Sequence, residues 1–346
     1  MKIAIYSPYL DTLGGGERYI LTIAEHLSKN NEVIIFWDGI DINNQAKERL
    51  NIDLSKVTFK KNVFIANNLI EKYKNLKDFD VCFVVSDGSI PMGFSKKNIL
   101  HFQVPFKTTP NLKNTIKLLT WKKIIVNSNF TKKIIDKSYG VSTTVLYPPV
   151  DILNLRPLEK KNIILSVGRF FSPLHDKKQN ILIKSFKKMN LKAWKLVLAG
   201  GVDKTSEEKI KELQKSVDTY PIEILPNVSY SVIKKLYGEA KIYWHGAGFG
   251  EDEKKDPEKA EHFGISTVEA MASGAVPVVV PYGGQREIVD EGKNGLYFYT
   301  EDELIDKTLE LINNQNLLDN LSKNALEKSK SYSKENFCRH LDEIIN

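Results

Sequence analysis

The sequence predicts an α/β protein built from two doubly wound, parallel-sheet domains. The chain has 346 residues, of which 42% are hydrophobic and 27% are charged, a globular composition. Its length exceeds the ~250–300 residues at which one hydrophobic core stops growing, so we expect two domains. Short β-branched runs alternate with amphipathic stretches along the chain, which is typical of Rossmann-like parallel sheets.

The alternation occurs twice, with a break in the middle. Strand-like runs of the first half lie at residues 2–6, 32–37, 81–86, 98–102 and 123–127. Prolines and charges between Tyr147 and Pro157 interrupt the pattern and mark the expected linker. Strand-like runs of the second half lie at residues 162–167, 195–199, 222–225, 242–245, 276–280 and 296–298. We therefore expect an N-terminal domain over 1–155, a C-terminal domain over 156–330, and one amphipathic helix over 331–345.

The net charge of +7 lies entirely in the first half of the chain. Residues 1–155 hold 21 Lys and Arg against 14 Asp and Glu, and the remaining 29 of each sign cancel. A basic half suggests an anionic partner, either a membrane surface or a phosphorylated acceptor. Generic lysine-rich surface is the alternative. We expect no nucleic acid among the partners.

The apolar runs and the cysteines suggest a cytoplasmic protein. The first apolar run is too short for a signal peptide, and no apolar stretch approaches the ~20 residues that span a membrane. Cys82 and Cys338 show no metal-ligand spacing and are interpreted as free thiols.

A glycine-rich turn follows the first predicted strand. Gly14, Gly15 and Gly16 lead directly into a helix, where free backbone N–H groups favour an anion. The turn does not match G-x-G-x-x-G, which disfavours a nicotinamide site, although Asp38 keeps that possibility open. A merely tight strand-to-helix turn is the other interpretation.

Two basic residues follow the first strand of the second half. Arg169 ends the run Ser-Val-Gly-Arg, and Lys177 lies on the loop before the next helix. A guanidinium and an ammonium group directed at one spot suit a diphosphate leaving group, where negative charge grows as a glycosidic bond breaks. Taken alone they would be surface charges, and the adjacent Lys178 is the main rival to Lys177.

The most specific pattern is a pair of glutamates eight residues apart. Glu261 precedes a glycine-containing turn, and Glu269 lies inside the helix that follows. This arrangement suits an extended ligand, with sugar hydroxyls near Glu261, ribose hydroxyls near Glu269, and phosphates over the N–H groups of residues 264–267. A helix with charged ends and an apolar face is the alternative.

Together these motifs resemble the retaining GT-B glycosyltransferases of family 4, and the resemblance runs essentially end to end. The runs Gly-Gly-Gly-Glu-Arg, Tyr-Pro-Pro-Val-Asp and Glu-His-Phe-Gly-Ile are similar to those of the lipid-linked-oligosaccharide α-1,2-mannosyltransferases and their prokaryotic relatives. The resemblance implies two Rossmann-like domains that face each other across a cleft, with the helix 331–346 packing back on the first.

The resemblance also implies roles for particular residues. Arg169 and Lys177 match residues that hold the donor diphosphate, Glu269 matches the ribose ligand, and Glu261 matches a residue facing the transferred sugar. His101, at the end of a strand, matches a histidine that contacts the donor sugar, although a lone strand-end histidine is more often structural. Further donor-binding positions are Gly15, Gly16, Phe263, Gly264, Ile265 and Ser266.

The resemblance implies retention through front-side attack, with the leaving phosphate helping to deprotonate the acceptor, and neither a metal nor a separate base. Asp78-Phe79-Asp80 is interpreted as loop solvation, and His245 and His262 lack a matching ligand cluster. A charged insertion at residues 250–258 either orders over the donor sugar or remains a solvated loop.

The stretch from Pro110 to Lys123 has the pattern of a basic amphipathic helix. Leu112, Ile116 and Leu119 share one stripe, with lysines beside it. Such a helix can lie in a membrane interface, and ordinary core packing is the alternative.

We expect hexosyl transfer from a nucleotide sugar, with GDP-mannose favoured over UDP-glucose or UDP-galactose, to a lipid-linked or other glycan. The glutamate pair argues against a sugar-nucleotide epimerase, and the absence of a pyridoxal-phosphate lysine motif argues against a phosphorylase. A catalytically silent scaffold that binds a glycan or a protein is the rival from another class.

Overall fold

The computed structural model describes residues 1–10, 14–39, 41–65, 68–109, 111–171, 176–202, 206–217 and 219–345. The chain divides into two compact units, Met1–Pro149 with Glu335–Asn346, and Val150–Lys334. The division lies slightly before the expected boundary at residue 155. Val150 forms a parallel bridge with Ser333, and this pairing ties the end of the linker to the second unit.

The N-terminal unit contains one parallel sheet of seven described strands, in the order β3-β2-β1-β4-β5-β6-β7. The strands are β1 Lys2–Tyr6, β2 Glu32–Phe36, β3 Val57–Lys60, β4 Val81–Ser86, β5 Lys97–Phe102, β6 Lys123–Val126 and β7 Thr144–Val145. The helices are α1 Gly15–Leu27, α2 Asn43–Leu50, α3 Leu69–Leu76, α4 Leu112–Leu118 and α5 Asn129–Tyr139.

Helices on both faces bury this sheet, so its central strands are continuously apolar rather than alternating. All six residues of β4 are buried, for example. Strands β3 and β7 were not predicted from the sequence. The first is half-exposed and carries a lysine, and the second has only two residues, so neither produces a long apolar run.

The C-terminal unit repeats the plan with a parallel sheet of six described strands, in the order β10-β9-β8-β11-β12-β13. The strands are β8 Lys161–Val167, β9 Lys195–Gly200, β10 Ile222–Pro226, β11 Ala240–His245, β12 Val276–Val279 and β13 Leu296–Tyr297. The helices are α6 Gln179–Met189, α7 Glu207–Ser216, α8 Tyr230–Glu239, α9 Ile265–Ala272, α10 Gln285–Ile288, α11 Glu301–Asn313 and α12 Gln315–Ser329. Both sheets confirm the predicted fold class.

The final helix, α13 Lys334–Ile345, contributes Phe337 and Leu341 to the core of the N-terminal unit. The prediction of one helix over 331–345 was wrong at its start. Residues Lys330–Tyr332 form a separate 3-10 turn, and Ser333 is extended because it pairs with Val150. Leu13, Pro110 and Asn346, which also belong to predicted features, lie outside the described residues.

Each sheet has a point at which the strand order reverses, between β1 and β4 in the first and between β8 and β11 in the second. In open parallel sheets, ligands bind at such a point, outside the carboxyl ends of the strands. In the ranges described above, no helix is both long and apolar enough to cross a membrane.

Candidate functional site

Two of the predicted site residues meet at the reversal point of the C-terminal sheet. Lys177 lies on the loop between β8 and α6, and Glu261 lies on the segment between β11 and α9. The Lys177 Nζ is 2.5 Å from Glu261 Oε2, and each side chain is only 17% exposed. The structure therefore joins two residues that are 84 positions apart in sequence.

His245 is a third member of this cluster. It is the last residue of β11, it is 1% exposed, and its Nε2 lies 2.9 Å from the same Glu261 oxygen. That contact is within ion-pair distance, but the ring N–H is not aligned for a hydrogen bond. Within the part of the chain that the structure describes, neither ring nitrogen has a hydrogen-bond partner.

Charge keeps the Glu261 carboxylate ionised in spite of its burial. Burial alone would raise the pKa of Glu261, but the neighbouring Lys177 charge and the contact with His245 hold that pKa well below its usual range. Burial lowers the pKa of His245, so the imidazole is neutral at neutral pH. Lys177 is therefore the cation that stabilises the carboxylate.

The loop that carries Lys177 packs closely on two strand ends. A Cβ on Gly246, next to His245, would lie 3.0 Å from the Lys177 carbonyl oxygen. Gln179 donates to the Arg169 carbonyl oxygen at 3.1 Å, which fixes the backbone that carries this arginine. The Arg169 side chain is exposed and makes no ion pair with any described residue. Lys177, not its rival Lys178, is the lysine that pairs with Glu261.

The backbone before α9 presents N–H groups at the helix start. Gly264 has φ +116°, a left-handed conformation that favours glycine. The amides of Gly264, Ile265 and Ser266 have no acceptor among the residues whose positions are described. The amide of Thr267 donates to the Gly264 carbonyl at 3.0 Å, so the prediction that this fourth amide is available was wrong.

Glu269 is buried inside α9, where the hydroxyl of Tyr237 donates to its Oε2 at 3.0 Å. Burial and the nearby carboxylate raise the pKa of Tyr237 well above its usual value, so the phenol remains a donor. The same helix start is fixed by Tyr243, whose hydroxyl donates to Ser266 Oγ at 2.8 Å.

Two glycines after β12 hold the segment that carries Glu261. The Gly284 N–H donates to the Glu261 carbonyl at 2.7 Å. A Cβ on Gly283 would lie only 2.1 Å from that same oxygen. The Gly-Gly pair is therefore needed for this close backbone approach. The ring of Phe263 is buried edge-on against Tyr332, with the ring centroids 5.2 Å apart, and donor binding by Phe263 stays a prediction.

In the N-terminal unit, the glycine-rich turn lies beside the end of β5. Gln103 donates to the Gly16 carbonyl at 3.0 Å, and a Cβ on Gly16 would lie 2.3 Å from the amide oxygen of that side chain. Gly15 is exposed at the start of α1, and Glu17 accepts a hydrogen bond from the Gly14 amide at 2.6 Å. Phosphate binding by Gly15 and Gly16 stays a prediction.

His101 lies on the same strand but is fully buried. Its ring stacks on Tyr19 with the centroids 4.1 Å apart, and burial lowers its pKa to about 3. Its Nε2 has no hydrogen-bond partner among the described residues. The histidine is therefore neutral, and its contact with a donor sugar stays a prediction.

Asp80, one of the two acidic residues interpreted from sequence as solvated, has a structural role. Asp80 accepts the Lys2 amide at 2.7 Å and pairs with Lys96 at 2.8 Å, so it fastens the start of β1. Across the described ranges, no group of three or more His, Cys, Asp or Glu side chains is arranged to hold a metal ion.

Sequence reasoning missed His245 and Tyr237 as members of the site. His245 has the same signal as Arg169, a polar residue at the carboxyl end of a central strand, but in the sequence it was considered only as a metal ligand. Tyr237 had no such signal, because only the packing of α8 against α9 brings it to Glu269.

Comparisons with known proteins show the family to which the chain belongs. The family model described as "Glycosyl transferases group 1" matches residues 153–328. An uncharacterized glycosyltransferase of Methanocaldococcus jannaschii is 26% identical, over 97% of this chain and 95% of that protein. The GDP-Man:Man(3)GlcNAc(2)-PP-Dol alpha-1,2-mannosyltransferase of Dictyostelium discoideum is 28% identical over 65% of this chain, and the match spans only 48% of that relative.

The likeness in structure extends over the whole chain. The Anabaena protein Alr3699/HepE, solved in complex with UDP, superposes with a TM-score of 0.76 over 100% of this chain and 99% of its own, at 17% identity. At this identity the likeness shows the fold, which is the GT-B arrangement of two Rossmann-like domains. With a family model that matches half of the sequence, the chain belongs to the group 1 family of glycosyl transferases.

Proposed function

We propose that this protein transfers a hexosyl group, with retention of configuration, from a nucleoside diphosphate sugar to a lipid-linked or other glycan. The supporting observation is the Lys177–Glu261–His245 cluster beside the start of α9. GDP-mannose is the favoured donor because the Dictyostelium relative is named for that donor, and a UDP-sugar is the alternative.

The cluster has the groups that the donor requires. An ionised carboxylate only accepts hydrogen bonds, so Glu261 suits the hydroxyls of a sugar, and Glu269 suits those of a ribose. The free amides of Gly264, Ile265 and Ser266 at the start of α9 suit a phosphate. Lys177 and Arg169 would supply positive charge where the diphosphate leaves.

In the proposed reaction, the bond between the anomeric carbon and the diphosphate oxygen breaks, and a bond from that carbon to an acceptor oxygen forms. The acceptor proton passes to the leaving diphosphate. Charge stabilisation of the leaving group is the main task left to the protein. Neutral His245 and the ionised Glu261 are then not required to move a proton.

Nucleotide binding tests the donor site. A thermal-shift screen with GDP, UDP, ADP and their common sugar conjugates is expected to select one nucleotide, since a ligand at 100 times its Kd stabilises by about 2.7 kcal/mol. Glu269→Gln is expected to reduce that shift because a neutral amide accepts ribose hydroxyl hydrogens less strongly. Glu208→Gln, at an exposed glutamate, is the control. An equal shift in Glu269→Gln would contradict the assignment.

A catalytically silent scaffold is the second candidate, and Arg169→Ala separates it from an enzyme. Loss of glycosyl transfer in this variant would support the enzyme. A variant that still performs the protein's biological function would support the scaffold. The product's anomeric configuration, read by NMR, tests retention.

We propose that the N-terminal unit, as the acceptor-binding domain, binds the cytoplasmic face of an anionic membrane. Leu112, Ile116 and Leu119 are 77%, 53% and 82% exposed, so core packing does not explain their stripe. Leu69 and Tyr73 on α3 are also exposed. Burial and the charge of Lys117 lower the pKa of Lys72, so a lysine of α3 and a lysine of α4 are near enough to repel each other. Apolar side chains among lysines suit an anionic lipid surface.

A variant with Leu112→Ser, Ile116→Ser and Leu119→Ser is expected to bind vesicles of phosphatidylcholine and phosphatidylglycerol at least about tenfold more weakly. Leu153→Ser, at an exposed leucine of the C-terminal unit, is the control. Cosedimentation measures the binding. Equal sedimentation of the triple variant and the wild type would exclude this surface.

A further inference from the structure

The charged segment at residues 250–260, immediately before Glu261, is docked rather than solvated. It contains a short 3-10 helix at Pro257–Lys259. The Glu251 and Glu253 side chains are only 23% and 20% exposed, whereas Lys254 and Lys255 are exposed. Glu251 and Glu253, the two acidic residues that face inward, contact the segments on either side.

Glu251 fastens the loop that carries Lys177. Its Oε1 lies 2.8 Å from the Nζ of Lys178, and its Oε2 lies 3.3 Å from the Nζ of Lys259. Lys178 has φ +55°, a conformation unfavourable for a residue with a Cβ, so it needs contacts that hold it. Because Lys178 adjoins Lys177, its restraint also restrains the site lysine.

Glu253 holds the turn that packs on Glu261, the second residue of the Lys177–Glu261 pair. Its carboxylate accepts hydrogen bonds from the Arg286 guanidinium through both oxygens, and it accepts the Gly283 N–H at 3.0 Å. Gly283 and Gly284 form the turn that packs on the backbone of Glu261. The segment therefore has one carboxylate on each side of the Lys177–Glu261 pair.

We propose that the 250–260 segment is a brace that holds Lys177 and Glu261 at their bonded geometry before a donor binds, with Glu251 and Glu253 as positioning residues. The inference rests on the proposed function, because the pair it holds is the proposed donor site. Loops that are ordered before binding lose less conformational entropy on binding, which increases affinity.

Exposed ion pairs contribute little, but Lys178, Glu251 and Glu253 are at most 23% exposed, and one guanidinium nitrogen of Arg286 donates to both Glu253 oxygens. Ordering one flexible side chain costs about 0.5–1.5 kcal/mol, which corresponds to an about two- to tenfold change in affinity. Glu251→Gln and Glu253→Gln keep the side-chain shape and remove the charge, so each is expected to weaken nucleoside diphosphate binding by about that factor.

The first test needs no ligand. Hydrogen exchange of the unliganded protein is expected to accelerate at residues 176–182 in Glu251→Gln and at residues 261–267 in Glu253→Gln, because each variant releases one side of the pair. Glu258→Gln removes a charge from the same segment at a side chain that has no hydrogen bond or ion pair with a described residue, and no acceleration is expected there. Unchanged exchange in both variants would overturn the brace.

The second test measures binding of GDP and UDP by calorimetry. A weaker Kd in Glu251→Gln, and a Lys178→Met effect that is not additive with it, support the brace. Equal affinity of the variants and the wild type overturns it. If the wild type binds neither nucleotide, the proposed function fails, and hydrogen exchange alone decides whether the segment holds the pair.

Discussion

Lys177→Met is expected to lower kcat for sugar transfer about 100- to 1000-fold, which corresponds to the ~2.7–4 kcal/mol typical of one lost donor at a developing negative charge. The methionine keeps much of the apolar stem and removes the ammonium group that lies on Glu261. Steady-state kinetics with the nucleotide sugar selected by the binding screen measures the effect. Lys192→Met, at an exposed lysine of the same unit, is the control, and a kcat equal to that of the wild type would remove Lys177 from the mechanism.

The same variant is expected to change how the free energy of unfolding depends on pH. In the wild type the depressed pKa of Glu261 stabilises the fold above the unfolded-state pKa, and this stabilisation is lost as the pH falls through the folded-state pKa. Without Lys177, burial raises the pKa of Glu261, so the carboxylate is destabilising at neutral pH.

The cost at neutral pH is expected to be roughly 2 kcal/mol, below the ~3–5 of a fully buried pair because both side chains are partly exposed. Urea denaturation should show the difference between the two proteins shrinking as the pH falls from neutral through the raised pKa of Glu261 in the variant, which lies above the usual ~4.3. A difference independent of pH would show that Lys177 is not the charge that holds Glu261 ionised.

Gly283→Ala is expected to give a large loss of stability in the C-terminal unit. Gly283 has φ +63°, and its added Cβ would meet the Glu261 carbonyl oxygen. Neither atom can move without displacing backbone, so the segment that carries Glu261 must shift. We therefore expect loss of nucleotide binding as well as a lower Tm.

Gly292→Ala is the matched control, because Gly292 has φ +68° and no atom within 4 Å of an added Cβ. Both variants bear the cost of a left-handed alanine, about 1–2 kcal/mol. Gly283→Ala should lose a further ~1–3 kcal/mol, as overpacking does. Calorimetry measures both, and equal Tm values would show that the contact at Glu261 is relaxed without cost.

Only those residues of the candidate site that lie after the end of a strand could be predicted from the sequence. Arg169, Lys177 and Glu261 lie on segments that lead from a strand of the parallel sheet to the next helix. Such segments lie at the same edge of the sheet. His245 had the same signal and was set aside, and Tyr237 had none, because it lies on a helix and reaches Glu269 through tertiary packing. The role of the charged insertion was left open, since charge alone does not show which side chains point inward.

The sequence by itself determined the fold class, the two-unit plan and most strand positions, because period and apolar content are local properties that a parallel sheet requires. It also determined which residues lie at strand ends. Only the tertiary structure decided which strand ends are adjacent, that Lys177 and Glu261 pair across 84 residues, and that Glu251 and Glu253 face inward. These contacts join segments distant in sequence, and they depend on sheet order and loop packing, which no local pattern encodes.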